Sequence, residues 1–271
     1  MGELIFIGMG LYSEKSITLE GIEVAMECDE VYVELYTSVM PGLRLDSLEK
    51  LLRRKIRVLT RKELEDGMYE IIDKARKRRI ALMVPGDPFM ATTHQIIRVE
   101  AEKRGVKTRI INGVSIFTAI PGLTGLHSYK FGRSVTLVHP VDGVKPYTVY
   151  EVVKSNLKMG LHSIILLDIK VEEGIFMTIP EAVRILQDME EELQEGIFTP
   201  NRLVIGIARA GAPDFVVKAD ALSKLKHYDF GPPPHTLVVP SEKLHFTEAE
   251  ALYVLAKAPQ ELLRGVKGWR R

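Results

Sequence analysis

Three short loops hold the residues best able to do chemistry. Gly8-Met-Gly-Leu-Tyr-Ser13 sets two glycines ahead of a helix, Pro85-Gly-Asp-Pro88 places an acid between two prolines, and Asn112-Gly-Val-Ser115 closes a later strand. Read alone, the first loop suggests a dinucleotide-binding fingerprint, with Glu34 near the end of the next strand as the ribose-binding acid. The match is incomplete. Ser13 stands where the third glycine belongs, and Leu11 to Ile17 separates the glycines from the helix. A pyrophosphate would lose its close approach to the helix N-terminus. The bland reading is a pair of glycines that only turn the chain. The second loop, read alone, is a tight turn in which Asp87 caps the next helix. Its functional reading is a rigid wall, since each proline fixes φ, that presents a carboxylate and backbone groups to a ligand. Asn112 to Ser115 decides nothing by itself.

Other chemistries lose ground. The histidines His94, His127, His139, His162, His227, His235 and His245 include no His-x-x-x-His pair, and none lies beside an acid cluster suited to zinc. No Gly-x-Ser-x-Gly elbow and no P-loop lysine motif occurs. The single cysteine, Cys28, excludes an internal disulfide and a Cys-x-x-Cys metal site, which fits a reducing compartment. No metal is expected.

The elements that must position these loops alternate. Apolar or β-rich runs at Leu4 to Ile7, Val31 to Tyr36, Lys55 to Leu59, Ile80 to Val84 and Thr108 to Ile111 read as strands. Helices fall between them, at Leu19 to Glu27 with Thr18 as cap, after capping boxes at Asp46/Glu49 and Thr60/Glu63, through Ile71 and Ala75, and from Ala91 to Arg104 with Gly105 at its end. Such alternation predicts a mostly parallel sheet over residues 1–113. The three loops then lie at the carboxyl ends of strands, where ligands of such sheets bind. A second α/β unit over residues 114–271 is predicted to have a mixed sheet. Its strands are read at Ser134 to Val138, Ser163 to Ile169, Arg202 to Ala208, Phe215 to Lys218 and Thr236 to Val239, and its helices at Tyr147 to Lys158, at Pro180 to Gln194, and after Thr247/Glu250. The fold class is α/β, with two subdomains joined near Val114 to Phe117.

Bulk properties exclude several classes. With 46% hydrophobic and 27% charged residues the chain is an ordinary globular protein, not a disordered one. The 37 basic and 36 acidic side chains nearly cancel, so no bulk charge draws it to nucleic acid or an anionic membrane. Arg76 to Arg79 and the basic tail Lys267 to Arg271 read as solvated surface. Neither a signal peptide nor an apolar stretch of membrane-spanning length is apparent, so the expected location is the cytoplasm.

In order, the chain shows Phe6-Ile-Gly-Met-Gly-Leu-Tyr12, Glu34-Leu-Tyr-Thr-Ser38, Pro85-Gly-Asp-Pro88 running into Ala91-Thr-Thr-His94, Thr124-Gly-Leu-His127, Tyr129-Lys-Phe-Gly132, Leu166-Leu-Asp-Ile-Lys170, Ala208-Arg-Ala-Gly211 and Phe230-Gly-Pro-Pro-Pro-His235. Each piece is weakly specific. The ordered set, from Leu4 to about Leu263, resembles the diphthine synthase branch of the tetrapyrrole methylase superfamily. That resemblance implies two α/β domains with S-adenosylmethionine in a cleft between them, in a homodimer. It implies repeated methylation of the amino group of the aminocarboxypropyl-histidine on translation elongation factor 2, in diphthamide biosynthesis. Carried onto this chain, it implies cofactor contacts from Leu11, from Asp87 and Met90, from Ser115 and Ile116, and from Leu167, Ala210 and His235. Met90 departs from the smaller apolar residue usual there.

Methyl transfer from a sulfonium needs alignment above all, which can supply roughly 7–11 kcal/mol, and the attacking amine must be neutral. No residue announces itself as the base, and none is named as catalytic. His127, Tyr129 and Lys130 lie in a plausible substrate-facing loop, and Lys130 and Arg209 are candidates to meet the substrate carboxylate. The alternatives are another methylase of the superfamily acting on a corrinoid, a porphyrinoid or ribosomal RNA, a dinucleotide-dependent oxidoreductase, and a non-catalytic nucleotide-binding regulator.

Overall fold

In the computed structural model, residues 2–269 are described. Arg270 and Arg271 of the basic tail lie outside them. The chain forms two compact units, Met1–Ile116 with Lys170–Gly174, and Phe117–Ile169 with Ile175–Arg271.

The first unit carries five strands: β1 (Glu3–Gly8), β2 (Glu30–Glu34), β3 (Arg57–Leu59), β4 (Arg79–Val84) and β5 (Thr108–Ile111). Their order is β3-β2-β4-β1-β5, and every pairing is parallel. The apolar runs explain this. Leu4, Ile5, Phe6 and Ile7 have no exposed surface, nor have Ile80 to Val84. Successive side chains of a strand point to opposite faces, so continuous apolarity requires cover on both sides. Leu4, Phe6, Ile80, Leu82 and Val84 enter one core cluster, and Ile5, Ile7, Ala81 and Met83 enter another.

Five helices supply the cover: α1 (Leu19–Glu27), α2 (Leu45–Leu52), α3 (Arg61–Glu65), α4 (Met68–Ala75) and α5 (Gln95–Lys103). Thr18 caps α1, and Thr60 with Glu63 forms the reciprocal box on α3. Two expected starts are corrected. Asp46 and Glu49 make no capping box: Asp46 pairs with Arg44, while Glu49 accepts from the Ile56 amide and Lys55. Helix α5 begins at Gln95 instead of Ala91. Ala91 has φ of +59°, a left-handed conformation no right-handed helix can include.

Helix α6 (Ile116–Thr124) follows. The sequence reading placed only a junction there, because Pro121 and Gly122 lower helix propensity. The second unit holds β6 (Val135–Leu137), α7 (Thr148–Met159), β7 (Ser163–Leu167), a hairpin of β8 (Ile169–Lys170) and β9 (Ile175–Phe176), α8 (Ile179–Leu193), β10 (Leu203–Ala208), β11 (Val216–Ala221), α9 (Leu222–Leu225), β12 (His235–Val239) and α10 (Phe246–Leu255). Its main sheet runs β11-β10-β12-β7-β6 and is mixed. β6 and β7 are parallel, and the other pairings antiparallel. Thr178 and Glu181 box the start of α8. Helix α10 is capped by His245 with Glu248, two residues before the expected Thr247/Glu250 pair. Among the described residues no helix is long and apolar enough to cross a membrane.

Candidate functional site

In the first unit the three loops meet at the carboxyl ends of their strands. β1 and β4 are neighbours in register, with Gly8 opposite Val84. Beyond them the Gly10 amide donates to the Gly86 carbonyl at 3.1 Å, and the Gly86 amide returns a bond to Gly10 at 2.7 Å. A methyl at Gly113 would lie 2.2 Å from the Gly86 carbonyl oxygen, and one at Gly8 would lie 2.4 Å from the Gly113 nitrogen. These backbones touch only because side chains are absent. Gly86 itself has φ of +70° and open space where a side chain would stand, a cradle at the loop tip.

Asp87 is the fastening of the group. Its Oδ1 accepts from the Phe89 amide at 3.0 Å, and its Oδ2 accepts from Asn112 Nδ2 at 2.8 Å and the Gly113 amide at 3.4 Å. The carboxylate therefore ties the loop after β4 to the loop after β5. The expectation that it caps the next helix is corrected: its bonds stay in these loops, and α5 starts eight residues on. An ionised carboxylate offers about four acceptor sites, so capacity for a ligand donor remains. Leu11 is half-buried beside these glycines, Ser115 is buried, Ile116 is half-buried at the start of α6, and Met90 is 44% exposed. Asn112, which sequence reading left undecided, earns its place as the donor that orients Asp87.

The second unit gathers the other predicted residues. β12 lies between β10 and β7, with His235 opposite Ala208 and Thr236 opposite Leu166. Leu167 and His235 thus end adjacent strands, and Ala210 sits just past β10. His235 is held from both sides. Its Nδ1 accepts from the Ile179 amide at 3.2 Å, so Nε2 carries the proton that goes to the Gly231 carbonyl at 3.1 Å. Burial pushes its pKa below the usual imidazole value. Its ring is a neutral wall with neither nitrogen free. Arg209, beside Ala210, donates to the Asp214 carboxylate and carbonyl and to the Phe230 and Pro232 carbonyls. It is buried and pins the loop, so the suggested role of meeting a substrate carboxylate is withdrawn.

The loop that follows α6 shows the same economy. Lys130 Nζ donates to Glu248 and, at 2.8 Å, to the Lys243 carbonyl. Its charge is neutralised internally, which takes it too out of carboxylate recognition. His127 and Tyr129 remain at the surface, linked at 2.9 Å, with Tyr129 78% exposed. Among the described residues no cluster of three or more histidines, cysteines and acids could hold a metal.

The oxidoreductase alternative fails at Glu34. Its side chain has no exposed surface, and its carboxyl is turned onto its own turn: Oε2 takes the Tyr36 and Thr37 amides at 3.1 Å each, and Oε1 contacts the Thr37 hydroxyl. No ribose hydroxyl can reach it.

Residues 3–226 match the family described as Tetrapyrrole (Corrin/Porphyrin) Methylases. Diphthine synthase of Methanococcoides burtonii is 43% identical over 268 residues, covering 97% of this chain and 99% of its own length. Diphthine synthase of Methanosphaera stadtmanae is 42% identical, covering 96% and 98%. A crystal structure of diphthine synthase superposes with a TM-score of 0.88 at 42% identity, covering 97% of this chain and all of its own. The chain belongs to the tetrapyrrole methylase family. Within that family it falls in the diphthine synthase branch, and it is a methyltransferase of diphthamide biosynthesis.

Proposed function

We propose that this methyltransferase binds S-adenosylmethionine through Leu11, Asp87, Met90, Ser115 and Ile116 of its first unit and Leu167, Ala210 and His235 of its second. Its substrate is the aminocarboxypropyl-histidine of translation elongation factor 2, whose amino group it methylates repeatedly. The observation that carries this is the convergence of the three strand-end loops, locked by the Gly10–Gly86 bonds and the Asp87 fastening, in a chain of this family. S-adenosylmethionine supplies, when bound, a methyl group on a sulfonium that leaves as a neutral thioether. The residues present fit that group. Gly86 leaves an open cradle, Asp87 offers an anionic acceptor beside a cation, and the neutral His235 adds no repulsive charge. The substrate's amine must shed its proton before its lone pair attacks the methyl carbon, and no side chain is assigned as the base. We further propose a cytoplasmic homodimer.

The test mixes purified protein, labelled S-adenosylmethionine and elongation factor 2 carrying the modified histidine, followed by mass spectrometry of the histidine peptide. Stepwise methyl gains, absent with unmodified factor, are the expected result. Tight cofactor binding without any gain would remove the substrate and leave a methylase with another acceptor.

A further inference from the structure

Glu34 and His94 stand 60 residues apart in sequence and both have no exposed surface. Glu34 ends β2, and His94 precedes α5. His94 Nδ1 lies 3.1 Å from the Pro88 carbonyl oxygen. A carbonyl only accepts, so Nδ1 carries a proton. In the neutral ring Nε2 is then a lone pair. It has no hydrogen-bond partner, and it faces Glu34 Oε1 at 3.7 Å. An ionised carboxylate there would set two lone pairs against each other without water, an arrangement burial penalises. A proton on Glu34 removes the conflict by leaving a neutral acid beside the lone pair.

We propose that Glu34 is held protonated beside the Nε2 lone pair of His94 and that the two act as positioning residues, holding the loop after β4 through the Pro88 carbonyl so that Asp87 and Met90 stand where the cofactor needs them. Thr92 Oγ1 donates to the same carbonyl at 2.6 Å, so Pro88 is gripped from two sides. The assignment of this loop to S-adenosylmethionine rests on the function proposed above.

The surroundings favour the neutral pair. Burial pushes Glu34 up to about 7 against the opposing Thr37 and Tyr36 hydrogen bonds and the Arg61 charge, and it pushes His94 below its usual value. From α3, Arg61 lies 5.2 Å from the Tyr36 ring centroid, and Glu65 accepts from Thr93 Oγ1 at 3.1 Å. Glu172, in the Lys170–Gly174 segment, accepts from the Arg61 amide at 2.9 Å. The Tyr36 hydroxyl is buried and unpartnered, and burial above all raises its pKa, so it stays neutral. The Thr37 hydroxyl can donate to the carboxylate or accept from the acid.

The test has two arms. In the first, nitrogen-15 histidine NMR reads the His94 ring in the wild type and in Glu34→Gln, with His94→Asn to assign the signals. The expected wild-type pattern is a proton on Nδ1 and an unprotonated Nε2 whose signal shifts as Glu34 titrates near neutrality. An Nε2–H tautomer with a bare Nδ1, or a signal unmoved by pH, overturns the neutral pair. In the second arm, calorimetry measures S-adenosylmethionine affinity from about pH 5.5 to about pH 9. Loss of the proton depletes the binding-competent form, so wild-type affinity falls by up to about tenfold per pH unit above the Glu34 pKa. Glu34→Gln, which donates a proton it cannot lose, gives a flat profile. Identical profiles for the two proteins overturn the positioning role. No binding at any pH, with the NMR pattern intact, sinks the cofactor assignment and the positioning role together, and leaves the neutral pair standing.

Discussion

Glu34 in the first unit and Glu248 in the second are both fully buried and both face a histidine, yet their pKa values are pushed in opposite directions. At Glu248 burial raises the pKa, and donors overcome it. His162 Nε2 donates at 3.0 Å, the His245 and His127 amides at 2.8 and 2.9 Å, and Lys130 brings a full charge, so the carboxylate is held well below the usual range. Glu34 also receives two amides, but its histidine offers a lone pair and its nearest cation acts only at a distance. Burial wins there and the acid rises to about 7. The lesson is that depth alone does not set the charge of a buried acid. A contacting cation and the tautomer of the neighbouring imidazole decide it.

The comparison can be broken most forcefully at Glu248. Glu248→Gln leaves the partly buried Lys130 against a neutral amide and the amides around Glu248 without their carboxylate, and we expect a loss of about 3–5 kcal/mol in denaturant unfolding at neutral pH. Lys130→Met makes Glu248 more like Glu34. It removes the charged hydrogen bonds to Glu248 and to the Lys243 carbonyl, costs about 1.5–3 kcal/mol, and raises the pH at which acid unfolding sets in. The pH dependences run in opposite senses. Glu248 has a lowered folded pKa, so its contribution is present above the ordinary value of 4.5 and lost as pH falls below it. Glu34 has a raised one, so its contribution is full below 4.5 and lost as pH rises from there to about 7. Stability curves of Glu34→Gln should lack that decline, which differences in unfolding midpoint between pH 5 and pH 8 would reveal. The smallest effect serves as the control. Met90→Ala, at a half-exposed loop position, should change stability by less than about 0.5 kcal/mol while weakening S-adenosylmethionine binding measured by calorimetry.

Much of this was legible in the sequence, for physical reasons that also mark its limits. Continuous apolar runs such as Leu4 to Ile7 can only be strands covered on both faces, and from their parallel order the convergence of the three loops follows. Thr60/Glu63 and Thr178/Glu181 announced their helices because those side chains have the reach to cap. His245 did the same work on α10 unseen, since histidine is an uncommon cap. Helix α6 was hidden by Pro121 and Gly122, whose propensities packing overrides. The Asp87 fastening needed Asn112 from another strand, and the Glu34–His94 pair joins residues that only the β2–β4 pairing brings together. The internal engagement of Lys130 and Arg209 was equally invisible, because a basic residue looks the same in sequence whether it greets a ligand or holds a loop.

The contact of Gly8, Gly86 and Gly113 has a consequence for how such a protein can vary over time. Most tight spots in a protein can be relieved by shrinking a neighbour. Here the neighbours of Gly8 and Gly113 are glycine backbones, each other's and that of Gly86, which have no side chain left to give up. An alanine at Gly113 has no second-site suppressor among its contacts, and Gly86, with open space around it, is held instead by its φ of +70°, so sequence drift has no gradual exit from the set.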